Sequence, residues 1–293
     1  MNNYFKYLPT SIEDESWGLH VLSAGCNRIN KEASYPSPGH PAHHFFSWSK
    51  GRILDEYQLI YITKGEGCFE SISCPEQSVK EGTAMVLFPG EWHRFKPSVN
   101  KGWDEYWVAF KGVVIDNIAQ NFFSRDNAIL DIGLQETIIQ LFAGIIEKTK
   151  EEKTGYQPLI AGIVMHLLGE IHSFTKQQHF PPEDITATVI RKAGIIIRTN
   201  IDNNLSMEQV AEELNVSYAW FRKAFKNYTG IAPHKYLVQL RIEKAKLLLS
   251  DQSVSIKDVA AQLNFESAFY FSRLFKEKTG VSPETFRKNL SAE

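Results

Sequence analysis

The spacing of apolar residues changes along the chain, from a two-residue period in the first part to a helical period afterwards. Between residues 40 and 110, apolar and aromatic side chains alternate with polar ones, which is typical of β-strands. We predict strands at 56–63, 68–73, 83–88 and 105–110, with a hairpin turn at 64–67. Several short strands at this spacing predict a sandwich or a barrel.

Two amphipathic helices are predicted next, at residues 126–150 and 156–178. They carry more apolar residues than an exposed linker needs. One interpretation is that they pair two subunits, and the other is that they pack onto the barrel. Residues 177–184, which contain two consecutive prolines, are predicted to form a hinge.

The last hundred residues contain an internal repeat. Residues 206–217 recur as 255–267, at an offset of 49 that becomes 50 after one inserted residue. In each copy a serine can cap a short helix, and a second serine can cap a longer helix that ends at a glycine. Phe221, Phe225 and Gly230 recur as Phe271, Phe275 and Gly280. This pattern predicts two helix-turn-helix units, each of which places its second helix in the major groove of DNA.

A helix at 234–249 is predicted to connect the two copies, with Arg241, Lys244 and Lys246 exposed. A helix of that length spans roughly 24 Å, and successive major grooves on one face of DNA are about 34 Å apart. One chain could therefore reach two adjacent grooves. The alternative is a helical bundle whose charged residues only form a solvated surface, and two copies with matching caps and breakers argue against it.

Specific motifs carry a family resemblance across residues 204–290. Both copies contain a Val-Ala-x-x-Leu helix and a Phe-x-x-x-Phe-Lys-x-x-Thr-Gly ending, and Arg241 begins the sequence Arg-Ile-x-x-Ala-Lys-Leu-Leu-Leu between them. This segment resembles the DNA-binding domain of the AraC/XylS family of bacterial transcription factors. The resemblance implies two helix-turn-helix units that read asymmetric half-sites, often as a homodimer on direct repeats. Asn215 and Asn264 stand where the family usually has a small residue, but asparagine tolerates the left-handed conformation.

The resemblance also implies which side chains contact double-stranded DNA. Arginine can read guanine, small side chains allow approach to thymine methyl groups, and serine or lysine suits phosphates. The candidate DNA-contacting residues are Ser217, Ala219, Trp220, Arg222, Lys223 and Lys226 in the first unit, and Ser267, Ala268, Phe269, Ser272, Arg273 and Lys276 in the second.

Residues 82–93 contain a glycine turn, a strand, a Pro-Gly turn and His93 in order, and they resemble the second motif of cupin barrels. In metal-binding cupins that histidine joins two histidines and a glutamate from an earlier motif. Here the earlier strand has no His-x-His, and His43 and His44 lie some 14 residues too early. We therefore predict no metal, no cofactor and no catalytic residue.

The barrel is instead interpreted as a pocket for a small-molecule effector, expected to be a sugar or a sugar derivative. Aromatic faces can stack on a sugar ring, while polar groups bond its hydroxyls. The family resemblance implies pocket positions at Asn27, Phe95, Glu105 and Trp107. The same part of the chain supplies Arg52 and His93 as further polar candidates.

Composition and charge agree with a two-part regulator. The chain has 293 residues, about twice a typical domain. Residues 1–182 carry 16 basic and 21 acidic residues, a balance of −5, whereas residues 183–293 carry 16 and 13, a balance of +3. The cysteines Cys26, Cys68 and Cys74 form neither an even set nor a CxxC pair, which favours a reducing cytoplasm. No apolar run approaches 18 residues, and no membrane partner or signal peptide is predicted.

We thus expect an α+β chain of two domains: a cupin-like barrel or sandwich with a helical linker, then an all-α domain with two helix-turn-helix units joined by a linker helix. The expected segments are an effector-sensing domain at 1–112, a helical dimerisation segment at 113–182 and a DNA-binding domain at 183–293. The hypothesis is a cytoplasmic, homodimeric, effector-controlled transcriptional regulator and not an enzyme. It contacts RNA polymerase if it is an activator. The alternatives are a metal-dependent cupin enzyme acting on a small metabolite, and an architectural DNA binder without a ligand.

Overall fold

The computed structural model describes residues 3–33, 35, 47–178 and 185–290. The chain divides into two compact units, residues 1–179 and 180–293. His43, His44 and most of the expected hinge at 177–184 lie outside the described residues.

The first unit combines a β-barrel with helices. Its elements, in chain order, are β1 (Tyr4–Tyr7), α1 (Ile12–Ser16), β2 (His20–Ile29), β3 (Arg52–Ile53), β4 (Tyr57–Ser71), β5 (Gln77–Lys80), β6 (Thr83–Leu87), β7 (Trp92–Pro97), β8 (Trp103–Lys111), α2 (Val113–Phe122), a 3-10 turn (Arg125–Asn127), β9 (Ile129–Asp131), α3 (Glu136–Glu151) and α4 (Tyr156–Gln177). One path of antiparallel strands runs β1-β2-β8-β4-β6-β9, while β4 also pairs with β5 and β7, and β7 with β3.

Strand β4 belongs to both layers of the barrel. Its first part pairs with β6 and β8, and its last part, from Glu66 onward, pairs with β5 and β7. The predicted hairpin turn at 64–67 is therefore wrong, because the chain passes straight from one layer to the other. A register shift between Ile62 and Lys64 marks the crossing. Gly65 has φ +87°, and a Cβ there would lie 2.1 Å from the Gly102 carbonyl oxygen, so this glycine permits the bend and the close approach of β8.

Alternation along the strands separates two cores. On one face of the sheet, Tyr57, Leu59 and Tyr61 of β4 pack in a cluster with buried residues of α3 and α4, such as Phe142 and Val164; we call this cluster the outer core. The opposite face points into the barrel and forms a second buried cluster, which we call the barrel interior. It contains Ile29, Ile60, Ile62, Phe69, Cys74, Val79, Met85, Leu87, Phe95, Trp103, Trp107 and Ala128. The two-residue period of the sequence therefore places one side chain set under the helices and the other inside the barrel.

The first of the two helices predicted after the barrel begins later than expected, whereas the second begins at Tyr156 as predicted. α3 starts at Glu136 and not at residue 126, because Ile129–Asp131 forms a strand that pairs with β6. Helix α2 was not predicted. Of the two interpretations of α3 and α4, packing onto the barrel is observed, since both contribute to the outer core.

Helix α4 also has an unexpected composition. Among the described residues, it is the one helix with the length and the mean hydropathy, 1.2, that a membrane span needs. Its apolar residues are interrupted by polar ones, so they form no continuous apolar run in the sequence. Its buried residues, which include Ile160, Leu167 and Ile171, pack in the outer core, so this apolar face has a partner within the unit.

The second unit is helical throughout its described residues. Its elements are α5 (Ile185–Thr199), α6 (Met207–Glu213), α7 (Tyr218–Thr229), α8 (Pro233–Leu249), α9 (Ile256–Gln262), α10 (Ala268–Thr279) and α11 (Pro283–Leu290). Every predicted serine cap is confirmed: Ser206, Ser217, Ser255 and Ser267 each accept a hydrogen bond from the third backbone N–H of their helix. Gly230 and Gly280 end α7 and α10 in the left-handed conformation.

The two turns inside the helix-turn-helix units depend on asparagine. Asn215 and Asn264 have φ values of +55° and +50°, so they adopt the left-handed conformation that the sequence analysis allowed them. Two separate cores result. One contains Phe221 and Phe225, and the other contains Phe271 and Phe275.

The prediction that Arg241 is exposed is wrong. This residue of α8 is buried, and its guanidinium donates to three backbone carbonyls: Nε to Ile201 at 3.0 Å, Nη2 to Asn203 at 2.8 Å and Nη1 to Asn264 at 3.0 Å. The first two carbonyls belong to the segment before α6, and the third belongs to the turn of the second unit. Arg241 thereby connects the two helix-turn-helix units.

We expect Arg241→Met to destabilise the second unit by about 2–4 kcal/mol, because three partly buried carbonyls would lose a charged donor. Hydrogen–deuterium exchange of the full-length protein, read at the amides of α8, α9 and α10, measures the local change. Lys246→Met serves as the control, since Lys246 pairs with Glu243 on the surface. Unchanged exchange in Arg241→Met would contradict the role given to this side chain.

Candidate effector pocket and nucleic-acid interface

A buried carboxyl group lies inside the barrel, where β2 and β8 pair. Asn27 and Glu105 are opposite one another in the register, and Asn27 Nδ2 donates to Glu105 Oε1 at 3.1 Å. The hydroxyl of Tyr35 donates to Glu105 Oε2 at 3.2 Å. Because residues of β8 alternate, Trp103, Glu105 and Trp107 all point into the barrel.

A second polar group faces the same interior from the opposite layer. Arg52 of β3 is paired in register with His93 of β7. Its Nε donates to His93 Nε2 at 3.1 Å, and its Nη2 donates to Gln58 Oε1 at 3.0 Å. His93 Nδ1 lies 3.0 Å from the Glu91 carbonyl oxygen, so Nδ1 carries the proton and Nε2 accepts.

Aromatic rings surround these polar groups. The guanidinium carbon of Arg52 lies 5.3 Å from the centre of the Phe95 ring, and His93 is stacked on that ring at 6.1 Å. Tyr35 contacts both Phe95 and Trp103, at 6.0 and 5.7 Å between ring centres. The interior is therefore an aromatic box that holds a carboxyl group, a guanidinium and an imidazole.

One polar atom in this box has no hydrogen-bond partner among the described residues. The indole Nε1 of Trp103, a residue 1% exposed, is buried without an acceptor. The indole N–H favours the ionised form of the Glu105 carboxyl group and so opposes the rise of its pKa. A buried N–H without an acceptor is costly, and a ligand oxygen could satisfy it.

Burial controls the charges in this interior. It raises the pKa of Glu105 to about 7, against the opposing effect of the hydrogen bonds from Asn27 and Tyr35. Burial, and then the positive charge of Arg52, lower the pKa of His93 to about 4, so the imidazole is neutral at physiological pH. Burial also lowers the pKa of Arg52. Near neutral pH the box thus contains a cationic Arg52 and a carboxyl group that readily gains or loses a proton.

All six candidate effector residues lie in or at the edge of this interior. They are Asn27, Arg52, His93, Phe95, Glu105 and Trp107. Tyr35 and Gln58 were not predicted to lie here. Nothing in the sequence indicated that Tyr35 reaches Glu105.

The described residues contain no group of three histidine, cysteine, aspartate or glutamate side chains arranged to hold a metal ion. Both ring nitrogens of His93 are engaged, by Arg52 and by the Glu91 carbonyl. A cavity of about 640 Å³ is lined by Trp103 together with Arg28, Asn30, Lys31 and Lys101, among others, and none of the six candidate effector residues lines it. That volume is within the range of small-molecule sites.

Helix α7 presents its candidate DNA-contacting residues to solvent. Ala219, Trp220, Arg222 and Lys223 are exposed, while Phe221 between them is fully buried. Lys226 is exposed one turn later, near the C-terminal end. The Ser217 side chain accepts from the Trp220 N–H at 3.3 Å and so fixes the first turn of the helix.

Helix α10 exposes fewer of its candidate DNA-contacting side chains than α7 does. Phe269, Arg273 and Lys276 are exposed, but Ala268 and Ser272 are only half-exposed. The hydroxyl of Ser272 donates to the Ala268 carbonyl at 2.8 Å. Ser267 caps the helix as Ser217 does in the first unit.

Both units match known families. Residues 34–168 match the model of the AraC-like ligand binding domain, and residues 210–289 match the model of a helix-turn-helix domain. The chain is 35% identical over 276 residues, 92% of this chain and 88% of the relative, to the uncharacterized HTH-type transcriptional regulator YidL of Escherichia coli. It is 28% identical to the lactose operon transcription activator of Staphylococcus xylosus, over 82% of this chain and 86% of the relative. It is 22% identical to the raffinose operon transcriptional regulatory protein of Pediococcus pentosaceus, over 99% of both chains.

The raised pKa of Glu105 has a consequence for stability. The folded carboxyl titrates near pH 7 and an unfolded one near 4.5, so the neutral carboxyl contributes stability fully below pH 4.5 and loses that contribution as the pH rises through 7. As the pH falls from 8 to 5.5, the free energy of unfolding of the first unit should therefore rise by about 2 kcal/mol more in wild type than in Glu105→Gln.

Thermal unfolding of both proteins across that pH range measures the difference. The control Glu147→Gln removes an exposed carboxylate of α3 and should follow the wild-type profile. Parallel profiles for wild type and Glu105→Gln would contradict the assigned titration.

Proposed function

Because this chain belongs to the AraC family of DNA-binding transcriptional regulators, we propose that a sugar or sugar derivative in its barrel controls how its two helix-turn-helix units engage an operator. The family consists of transcriptional regulators and not of enzymes, and the chain combines a ligand-binding domain with a DNA-binding domain. The observation that carries the proposal is the aromatic box around Glu105. The same chain also presents α7 and α10, the second helices of the two helix-turn-helix units, which we call the recognition helices.

The chemistry of the box favours a polyhydroxylated ligand. Flat aromatic faces stack on the C–H face of a sugar ring, and Asn27, Arg52 and Glu105 supply donors and acceptors for hydroxyl groups. Two relatives are named as regulators of lactose and raffinose operons. This supports a carbohydrate effector for the present chain.

The regulator acts by a shift of populations. Effector binding alters the orientation of two DNA-binding units in a homodimer, and the fraction able to engage both half-sites changes with it. Exposed Leu159 and Met165 on α4, opposite the outer core, are available for the dimer contact. The protein works in the cytoplasm with double-stranded DNA, and it contacts RNA polymerase if it is an activator.

The decisive experiment is fluorescence anisotropy with DNA from the gene's own upstream region against scrambled DNA, in a salt series, with and without a panel of sugars and sugar acids. The expected result is a preference for the upstream fragment that one sugar changes. If the protein prefers the upstream fragment but no sugar changes that preference, the effector is not a sugar, and the protein is still a DNA-binding regulator. Folded protein without salt-dependent DNA binding would overturn the proposal.

Arg222→Ala should weaken binding to the specific site by about 1–3 kcal/mol if Arg222 reads a base. Arg191→Ala on α5 removes the same charge from an exposed position outside the recognition helices and should leave most of the affinity. Anisotropy titrations on specific and scrambled DNA separate the two cases. An equal loss on both DNAs would identify Arg222 as a phosphate contact.

Trp103→Phe should weaken effector binding by about 1 kcal/mol or more, because a smaller phenyl ring replaces the indole and the N–H that meets a ligand oxygen is lost. Thermal shift of the full-length protein with the sugar that acts in the anisotropy experiment measures the change. Trp17→Phe is the matched control, since Trp17 is 62% exposed outside the barrel. Equal shifts in wild type and Trp103→Phe would show that the indole does not contact the effector.

A further inference from the structure

The two recognition helices carry different chemistry at equivalent positions. An offset of 50 residues superimposes their caps, their buried phenylalanines and their terminal glycines. At the same offset Ala219 corresponds to Phe269, Arg222 to Ser272 and Lys223 to Arg273. The residues that cap, pack and end the two helices are thus repeated, while the exposed residues that would face base pairs are not.

Phe269 is the most exposed large apolar side chain of these helices. It is 80% exposed, whereas Phe271 and Phe275 of the same helix are fully buried. Phe269 is the second residue after the Ser267 cap, at the N-terminal end of the helix that contacts base edges in this motif. Exposing a phenylalanine to water is unfavourable, and DNA would remove it from water.

Two polar neighbours of Phe269 make contacts with other residues of the same helix. The hydroxyl of Ser272 donates to the Ala268 carbonyl, and the guanidinium carbon of Arg273 lies 5.4 Å from the centre of the Tyr270 ring. Among residues 268–271 of α10, Phe269 is the exposed side chain, so the first turn offers an apolar ring to solvent. The only apolar group at the major-groove edge of a base pair is the C5-methyl of thymine.

We propose that Phe269 packs against a thymine methyl group, so that the half-site read by α10 requires thymine at that position. This inference rests on the proposed DNA-binding function and adds the identity of a base. At the equivalent place α7 has Ala219, which cannot bury the same area, while Arg222 of α7 can donate hydrogen bonds to O6 and N7 of a guanine. The two half-sites therefore differ, and the chain binds its operator in one orientation.

The test begins with a site selected by the full-length protein from a pool of random duplexes. Each thymine of that site is then replaced in turn by 2′-deoxyuridine, which removes the methyl group and keeps base pairing. At one position the wild-type protein should lose affinity by about fourfold, the value of one buried methyl group. Phe269→Ala should lose this discrimination, and Phe269→Leu should retain part of it.

Trp220→Ala provides the matched control, because it removes an aromatic side chain from the other recognition helix. It should lower affinity for the thymine and uracil duplexes alike and leave their ratio unchanged. The thermal midpoint of Phe269→Ala should equal that of wild type, since the side chain is exposed.

Two results overturn the inference: no uracil position that costs affinity, or a cost that persists unchanged in Phe269→Ala. Failure to select any site would instead contradict the proposed function. The two failures are therefore distinguishable.

Discussion

The guanidinium of Arg241 holds the two helix-turn-helix units together through backbone atoms. It reaches the carbonyls of Ile201 and Asn203 ahead of the first unit and the carbonyl of Asn264 in the turn of the second. Asn264 and Lys244 also bond Asp202, through its carbonyl and its carboxylate respectively. Because the acceptors are main-chain oxygens, the relative placement of α7 and α10 does not depend on the side chains that these helices present. The recognition surfaces can therefore differ while the frame stays the same.

In the barrel, the main constraint is that ionisable side chains lie in an interior shielded from water. Burial disfavours charge on Glu105, on His93 and on Arg52. Hydrogen bonds from Asn27 and Tyr35 compensate part of the cost for Glu105, and the Trp103 N–H remains without an acceptor among the described residues. Such a preorganised but incompletely satisfied interior is suited to a polar ligand that supplies the missing partner.

Much of the second unit could be predicted because its signals are local. A serine cap, an asparagine at positive φ and a glycine end each act within a few residues, and the repeat presents them twice. The sequence did not reveal that Arg241 is buried, since its acceptors lie 23 to 40 residues away along the chain. In the barrel, alternation identified β4, β6 and β8 but not the other strands, and Lys64–Gly67 resembled a hairpin turn. Only the partners of β4 show that Gly65 serves a crossing between layers.

The sequence by itself determined the two-unit organisation, the pair of helix-turn-helix units with their caps, and the residues that α7 and α10 present. These features depend on periodicity and on short-range hydrogen bonds, which a single chain segment encodes. Only the tertiary structure decided that α3 and α4 pack on the sheet, that Tyr35 bonds Glu105, and that Arg241 connects both units. Those contacts join residues far apart in the chain, and their energies exist only after the strands have paired and the buried groups have left water.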